Sequence, residues 1–103
     1  MYIVVFITAS SKKEARAIAK TLLKQKLVAC VNIIDQIESL FWWQGKIDQA
    51  QEVLLVAKTK KAKFSQVEKA VRACHSYEVP EIIALPIAVG SQPYVRWIDA
   101  TFR

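Results

Sequence analysis

The chain has little of what loops are made from. Its 103 residues include 2 glycines and 3 prolines, so few positions offer the backbone freedom or rigid bends that those residues supply. That leaves little material for a flexible active-site lid. Cysteine is scarce too: Cys30 and Cys74 stand alone, far apart, with no CxxC, no CxxCH and no zinc-finger spacing. His75 is the only histidine. No apolar run approaches the ~20 residues of a membrane-spanning helix. The opening Met1-Tyr2-Ile3-Val4-Val5-Phe6-Ile7 lacks a basic leader region and a small-residue cleavage site, so it reads as a strand and not as a signal peptide. Without an export signal or a disulfide framework, the expected location is the reducing cytoplasm.

Apolar residues are plentiful, at 53% of the chain, against ~45–50% in an average soluble domain. The length fits one domain spanning residues 1–103. A small domain with surplus apolar surface can hide it against another copy of itself, so self-association is expected. The net charge of +6 raises nucleic acid or an anionic ligand as a partner. Most Lys and Arg, however, fall on the outer faces of helical segments, mixed with Glu. They read as a solvated surface and not as a stripe interleaved with aromatics.

Periodicity divides the chain. Tyr2 to Thr8 is a strand apolar enough for burial on both faces. Ser11 and Glu14 form a capping-box pattern ahead of Ala15, Ile18, Ala19, Leu22 and Leu23, which recur at helical spacing. The helix should end near Gln25-Lys26. Residues 27–59 read as one long antiparallel hairpin: a strand from Leu27, an interruption at Asp35-Gln36, a turn at Gln44-Gly45-Lys46 and a return from Gln51 to Thr59. A second helix from Lys60 to Cys74 buries Phe64, Val67, Ala70, Val71 and Cys74. Ile82 to Ile87 is the last strand, with Pro86 placing it at an edge or an end. Ser91, as cap, and Pro93 then open a third helix with Tyr94, Trp97 and Ile98 on its apolar face.

The order β-α-β-β-α-β plus a helix predicts an α+β, ferredoxin-like sandwich with a long hairpin of its second and third strands and an extra C-terminal helix. Right-handed crossovers put both long helices on one face of the sheet. The other face is then left bare, although the hairpin strands are apolar on both sides. Projecting strands that carry Trp42 and Trp43 invite pairing with a neighbouring copy.

Certain stretches resemble the CutA divalent-cation tolerance family. They are Leu27-Val28-Ala29-Cys30-Val31-Asn32, Trp42-Trp43-Gln44-Gly45-Lys46, Glu52-Val53-Leu54-Leu55 with Lys58-Thr59, and Tyr77-Glu78-Val79-Pro80-Glu81-Ile82-Ile83-Ala84-Leu85-Pro86-Ile87. Tyr94 and Trp97 in the closing helix extend the likeness over essentially the whole chain. The resemblance implies a cytoplasmic homotrimer, PII-like in shape, that takes part in the response to metal ions. It implies copper or another divalent cation as the metal that some members bind, with no obligatory cofactor and no catalytic activity. Of the ligands in the family's bacterial copper pattern, the strand-one cysteine is replaced here by Ile7, before Thr8-Ala9. The His-His pair becomes Cys74-His75, before Ser76-Tyr77. His75 and Cys74 are therefore the candidate metal ligands, a mixed S/N pair suited to Cu(I) or Zn(II). Against this, Cys74 lies on the apolar stripe of its helix, where a thiol is an inert small hydrophobe. His75 suits a helix C-terminus without any metal.

Lys58, Tyr77, Glu78 and Glu81 are expected at one end of the sheet, either as hydrogen bonds and ion pairs of a subunit interface or lining an inter-subunit cleft where a small ligand can bind. Two other uses of this fold order fit poorly. An RNA-binding module needs base-stacking aromatics in its third strand, which here reads Gln51-Glu52-Val53-Leu54-Leu55-Val56. Acylphosphatases, which share the fold, use an arginine in the loop after the first strand, and copper chaperones place a CxxC there. Here that loop is Ala9-Ser10-Ser11.

Overall fold

The computed structural model describes residues 1–103. Strand β1 (Tyr2–Ala9) leads into helix α1 (Lys12–Lys24). Strands β2 (Cys30–Trp43) and β3 (Lys46–Lys60) follow, then a 3-10 turn (Lys61–Lys63) and helix α2 (Phe64–Cys74). Strand β4 (Ile82–Pro86) and helix α3 (Gln92–Thr101) close the chain. The four strands form one sheet in the order β2-β3-β1-β4, antiparallel at every junction. β4 is an edge strand and ends at Pro86, where the missing N–H costs no ladder bond.

Period-2 alternation decides which side chains meet the helices. Ile3, Val5, Ile7 and Ala9 of β1 pair across to Thr59, Ala57, Leu55 and Val53 of β3. They pack against Ala15, Ile18, Ala19 and Leu22 of α1 and Val67 and Val71 of α2 in one core. Leu23, placed on the buried stripe by its spacing, is instead exposed at the stripe's margin.

Both ends of α1 depart from the sequence reading in detail. Ser11 caps as expected, accepting the N–H of Glu14 at 3.1 Å. The Glu14 carboxylate does not return to Ser11. It accepts the N–H and hydroxyl of Ser10, each at 2.9 Å. At the other end, Leu27 donates to the carbonyl of Leu22 and Lys26 to that of Leu23, both at 3.0 Å. This is a Schellman closure with Lys26 in the left-handed position at φ 54°. The chain crosses Leu27 and Val28 buried but outside the strand ladder, so β2 begins at Cys30 rather than Leu27.

The hairpin is longer than its apolar run suggested, with strands of 14 and 15 residues. Its register shifts between Ile34 and Ile37, a bulge at Asp35-Gln36 with Gln36 at φ 60°. The far turn places Gln44 at φ 51° and Gly45 at φ 78°, the two positive φ values that a tight two-residue hairpin needs.

The opposite sheet face is only partly covered. Asp99 of α3 accepts from the Tyr2 hydroxyl at 3.2 Å and pairs with Lys60 at 2.5 Å. Tyr94 contacts the Cys30 sulfur at 3.6 Å, and Ile98 is fully buried. α3 thus covers the end of that face where β1 begins. Ser91 begins this helix without a side-chain cap bond, and Pro93 supports its first turn. Beyond α3, Ile34, Ile83 and Leu85 remain about half exposed. The second face of β1 is therefore half-buried in a single chain, not fully buried.

Candidate functional site

At the hairpin's far half, the loop between α2 and β4 comes against the strands and encloses a groove of about 730 Å³. Leu40, Phe41, Trp43 and Val79 supply apolar wall, while Glu38, Asp48, Glu52, Glu78 and Glu81 bring carboxylates. No lysine, arginine or histidine lines it. Five of the nine acidic residues of a chain with net charge +6 therefore meet in one place. None of the five forms an ion pair. Glu52 is buried, with the Tyr77 hydroxyl donating to its Oε2 at 2.8 Å. Burial and then the bond to Glu52 push the Tyr77 phenol up to about 12.

The loop is held by buried polar contacts behind the groove. The His75 side chain is fully buried. Its Nδ1 accepts the N–H of Tyr77 at 3.0 Å. The ring proton must then sit on Nε2, which donates to the Thr8 carbonyl at 2.7 Å. Beside it, Glu14 Oε2 accepts the N–H of Ser76 at 2.8 Å. Burial alone would raise the Glu14 carboxyl. The donors of Ser10 and Ser76 overcome this and hold it at about 2.

These positions correct several expectations. Both nitrogens of His75 are engaged within the fold, which leaves no lone pair for a metal while those bonds hold. Cys74 is exposed, not buried, because α2 ends there and only Val67 and Val71 of its stripe are fully buried. Its sulfur lies 3.3 Å from the Ala70 carbonyl on its own helix, and partial burial followed by the Glu14 charge push the thiol pKa up. His75 and Cys74 therefore do not converge on a shared point. No three His, Cys, Asp or Glu side chains of one chain are grouped to hold a metal ion.

Of the expected cleft residues, Tyr77, Glu78 and Glu81 line the groove. Lys58 does not. It lies toward the α3 end of the sheet, opposite Val4 and Cys30, bonded to Asn32. Glu52 is six residues further along β3, about 20 Å at strand rise. Trp43 faces the groove, whereas Trp42 on the alternate face is 72% exposed. The sequence reading missed Glu38, Asp48 and Glu52 as site residues. Pairing within β2 and β3, which sets Ile37 opposite Glu52 and Phe41 opposite Asp48, gathers acids that are scattered in sequence.

The model of the CutA1 divalent ion tolerance protein family matches residues 3–101. The chain belongs to the CutA1 family. It is 48% identical over 101 residues to the divalent-cation tolerance protein CutA of Archaeoglobus fulgidus, covering 98% of each chain. A solved structure from that organism superposes with a TM-score of 0.97 over all of both chains. The CutA1 structure from Thermus thermophilus gives 0.93 at 46% identity, covering 95% of each chain. The chloroplastic CutA 1 of rice is 41% identical over 98% of this chain, which spans 57% of that longer protein.

These relatives overturn the cytoplasmic expectation. The A. fulgidus CutA structure is described as periplasmic, and the rice protein is chloroplastic. An expectation built on a missing leader does not fix the compartment of a CutA1 chain. The fold itself places the strand-one position of the copper pattern. Ile7 is fully buried between sheet and helices, packed as a core side chain.

Proposed function

We propose that this CutA1 chain works as a homotrimer in divalent-cation tolerance, receiving cations at its carboxylate-lined groove and catalysing no reaction. The observation that carries this reading is the segregation of charge: five carboxylates, none in an ion pair, share one groove of an otherwise basic protein. Carboxylate oxygens favour hard divalent ions, and an apolar wall lowers the local dielectric and strengthens their attraction. One chain alone does not converge three ligands, so a neighbouring copy would complete the set. The exposed Ile34, Ile83 and Leu85 and the aromatic hairpin end are surfaces that such an assembly would bury. Copper at Cys74-His75 is the competing location, and it would require His75 to give up one of its two bonds.

Calorimetric titration of Cu(II), Zn(II) and Mn(II), and of Cu(I) under reducing conditions, tests the reading on the wild-type protein, Glu52→Gln/Glu78→Gln and His75→Ala. Saturable binding lost in the glutamate variant and kept in His75→Ala supports the groove. Loss only in His75→Ala moves the site to the Cys74-His75 loop. Absence of binding in all three rejects direct cation recognition. A second reading, a PII-like binder of a small organic ligand, is favoured by the groove's volume and by the aromatic rings of Phe41, Trp43 and Tyr77 along it.

A further inference from the structure

The outer surface of α1 carries positive charge that the fold does not answer. Lys12, Arg16, Lys20 and Lys24 recur at i, i+4, and all four are exposed. Successive members are about 6 Å apart along the axis. Like charges at this spacing weaken a helix, yet none of the four forms an ion pair. The sequence reading mixes acids among them. The only acid of α1 is Glu14, and its carboxylate is turned away to Ser10 and Ser76. Beside α1, helix α2 adds exposed Lys69, and its one acid, Glu68, is taken up by Arg72 at 3.9 Å.

We infer that this helical layer docks on an anionic lipid surface. Three features favour a planar bilayer over a nucleic acid. The two helices lie on the same side of the sheet and make a slab. The hollow lined by Ser65, Glu68, Lys69 and Arg72, of about 240 Å³, is too small to grip a duplex. Neither helix exposes an aromatic side chain that could stack on a base, since Phe64 is half-buried toward the core. Exposed Ala17 and Leu23 are small or aliphatic groups that sit readily among headgroups. No helix is long and apolar enough to cross a membrane, so the association is peripheral and electrostatic. The layer lies opposite the bare sheet face and so stays available when that face is covered.

The test is co-sedimentation of the full-length protein with phosphatidylglycerol/phosphatidylcholine vesicles at about 0.1 M salt, where charges still act over ~10 Å. Binding is expected to the mixed vesicles and not to pure phosphatidylcholine. Each cation near an anionic leaflet strengthens partitioning by roughly fivefold, so Lys20→Gln/Lys24→Gln should bind about 25-fold more weakly. Its unfolding midpoint should equal or exceed that of the wild type, because like-charge pairs are removed. Lys46→Gln, at the far hairpin turn, should bind as the wild type does. Equal binding by the Lys20/Lys24 variant, or no binding to mixed vesicles, would overturn the proposal. Tighter binding to a short duplex RNA than to vesicles, lost in the same variant, would overturn it in favour of nucleic acid.

Discussion

Glu14 Oε2 accepts the backbone N–H of Ser76 at 2.8 Å across 62 residues of sequence. One carboxylate at the start of α1 therefore holds the loop that carries Tyr77, Glu78 and Glu81 into the groove. Its other oxygen takes both donors of Ser10. Hydrogen bonds to a charged acceptor contribute about 1.5–3 kcal/mol each. Glu14→Gln keeps the shape but not the charge, and should cost about 1–3 kcal/mol in urea denaturation. The folded pKa of about 2 lies below the ordinary carboxyl value of 4.5. The contribution is therefore complete above about pH 4.5 and is lost as pH falls toward 2. Wild-type stability should drop through that window more steeply than that of Glu14→Gln. Parallel pH curves for the two proteins would remove Glu14 from this role.

Tyr77 and Glu52 form the same kind of link on the groove side. The phenol is raised to about 12 from 10 by burial and by the carboxylate it bonds. Because the folded pKa is raised, the stabilisation is present below pH 10 and disappears as pH climbs through 12. Ultraviolet titration of tyrosinate absorbance should show one phenol ionising near 12. In Glu52→Gln that transition should move back toward 10. Tyr77→Phe leaves the buried carboxylate without its donor and should destabilise by about 1–3 kcal/mol.

Much of the fold is legible because periodicity is a local property. The α1 stripe, the interruption at Asp35-Gln36 and the Gln44-Gly45 turn follow from spacing and turn chemistry alone. The site was less legible, because antiparallel pairing creates it. Glu38, Asp48 and Glu52 have nothing in common until β2 lies against β3. Lys58 was expected beside Tyr77 because both flank their strands' ends, but strand direction carries it to the opposite end of the sheet. Cys74 fits the helical stripe numerically, yet the helix stops there and the core reaches no further along it than Val71. The partners of His75 are backbone groups of Thr8 and Tyr77, and backbone partners leave no mark in side-chain patterns.

The end of α1 offers a test by stabilisation. Lys26 occupies the left-handed position of a Schellman closure at φ 54°, where glycine is the usual residue because it has no Cβ penalty. The surrounding bonds, from Lys26 and Leu27 back to Leu23 and Leu22, use only backbone atoms. Lys26→Gly should therefore keep the geometry and gain about 1 kcal/mol, seen as a higher urea midpoint with unchanged slope. A loss of stability would mean that the lysine side chain contributes more than its backbone strain costs.

The two adjacent tryptophans separate assembly from groove filling. Trp43 lines the groove, whereas its neighbour Trp42 does not and is 72% exposed. An exposed indole at the tip of a hairpin adds little to the stability of its own chain, so Trp42→Glu should leave monomer secondary structure intact. If the hairpin ends pack between copies, a buried charge there costs several kcal/mol per interface. Trp42→Glu and Trp43→Glu should then both shift the mass measured by light scattering from that of the proposed trimer toward one chain. If Trp42 merely faces solvent, its variant will keep the wild-type mass while Trp43→Glu alone changes it, and the interface must then lie on the groove side of the hairpin. Retention of the wild-type mass by both variants would show that neither tryptophan holds copies together. The exposed Ile34, Ile83 and Leu85 of the sheet face would then be the surface to charge next.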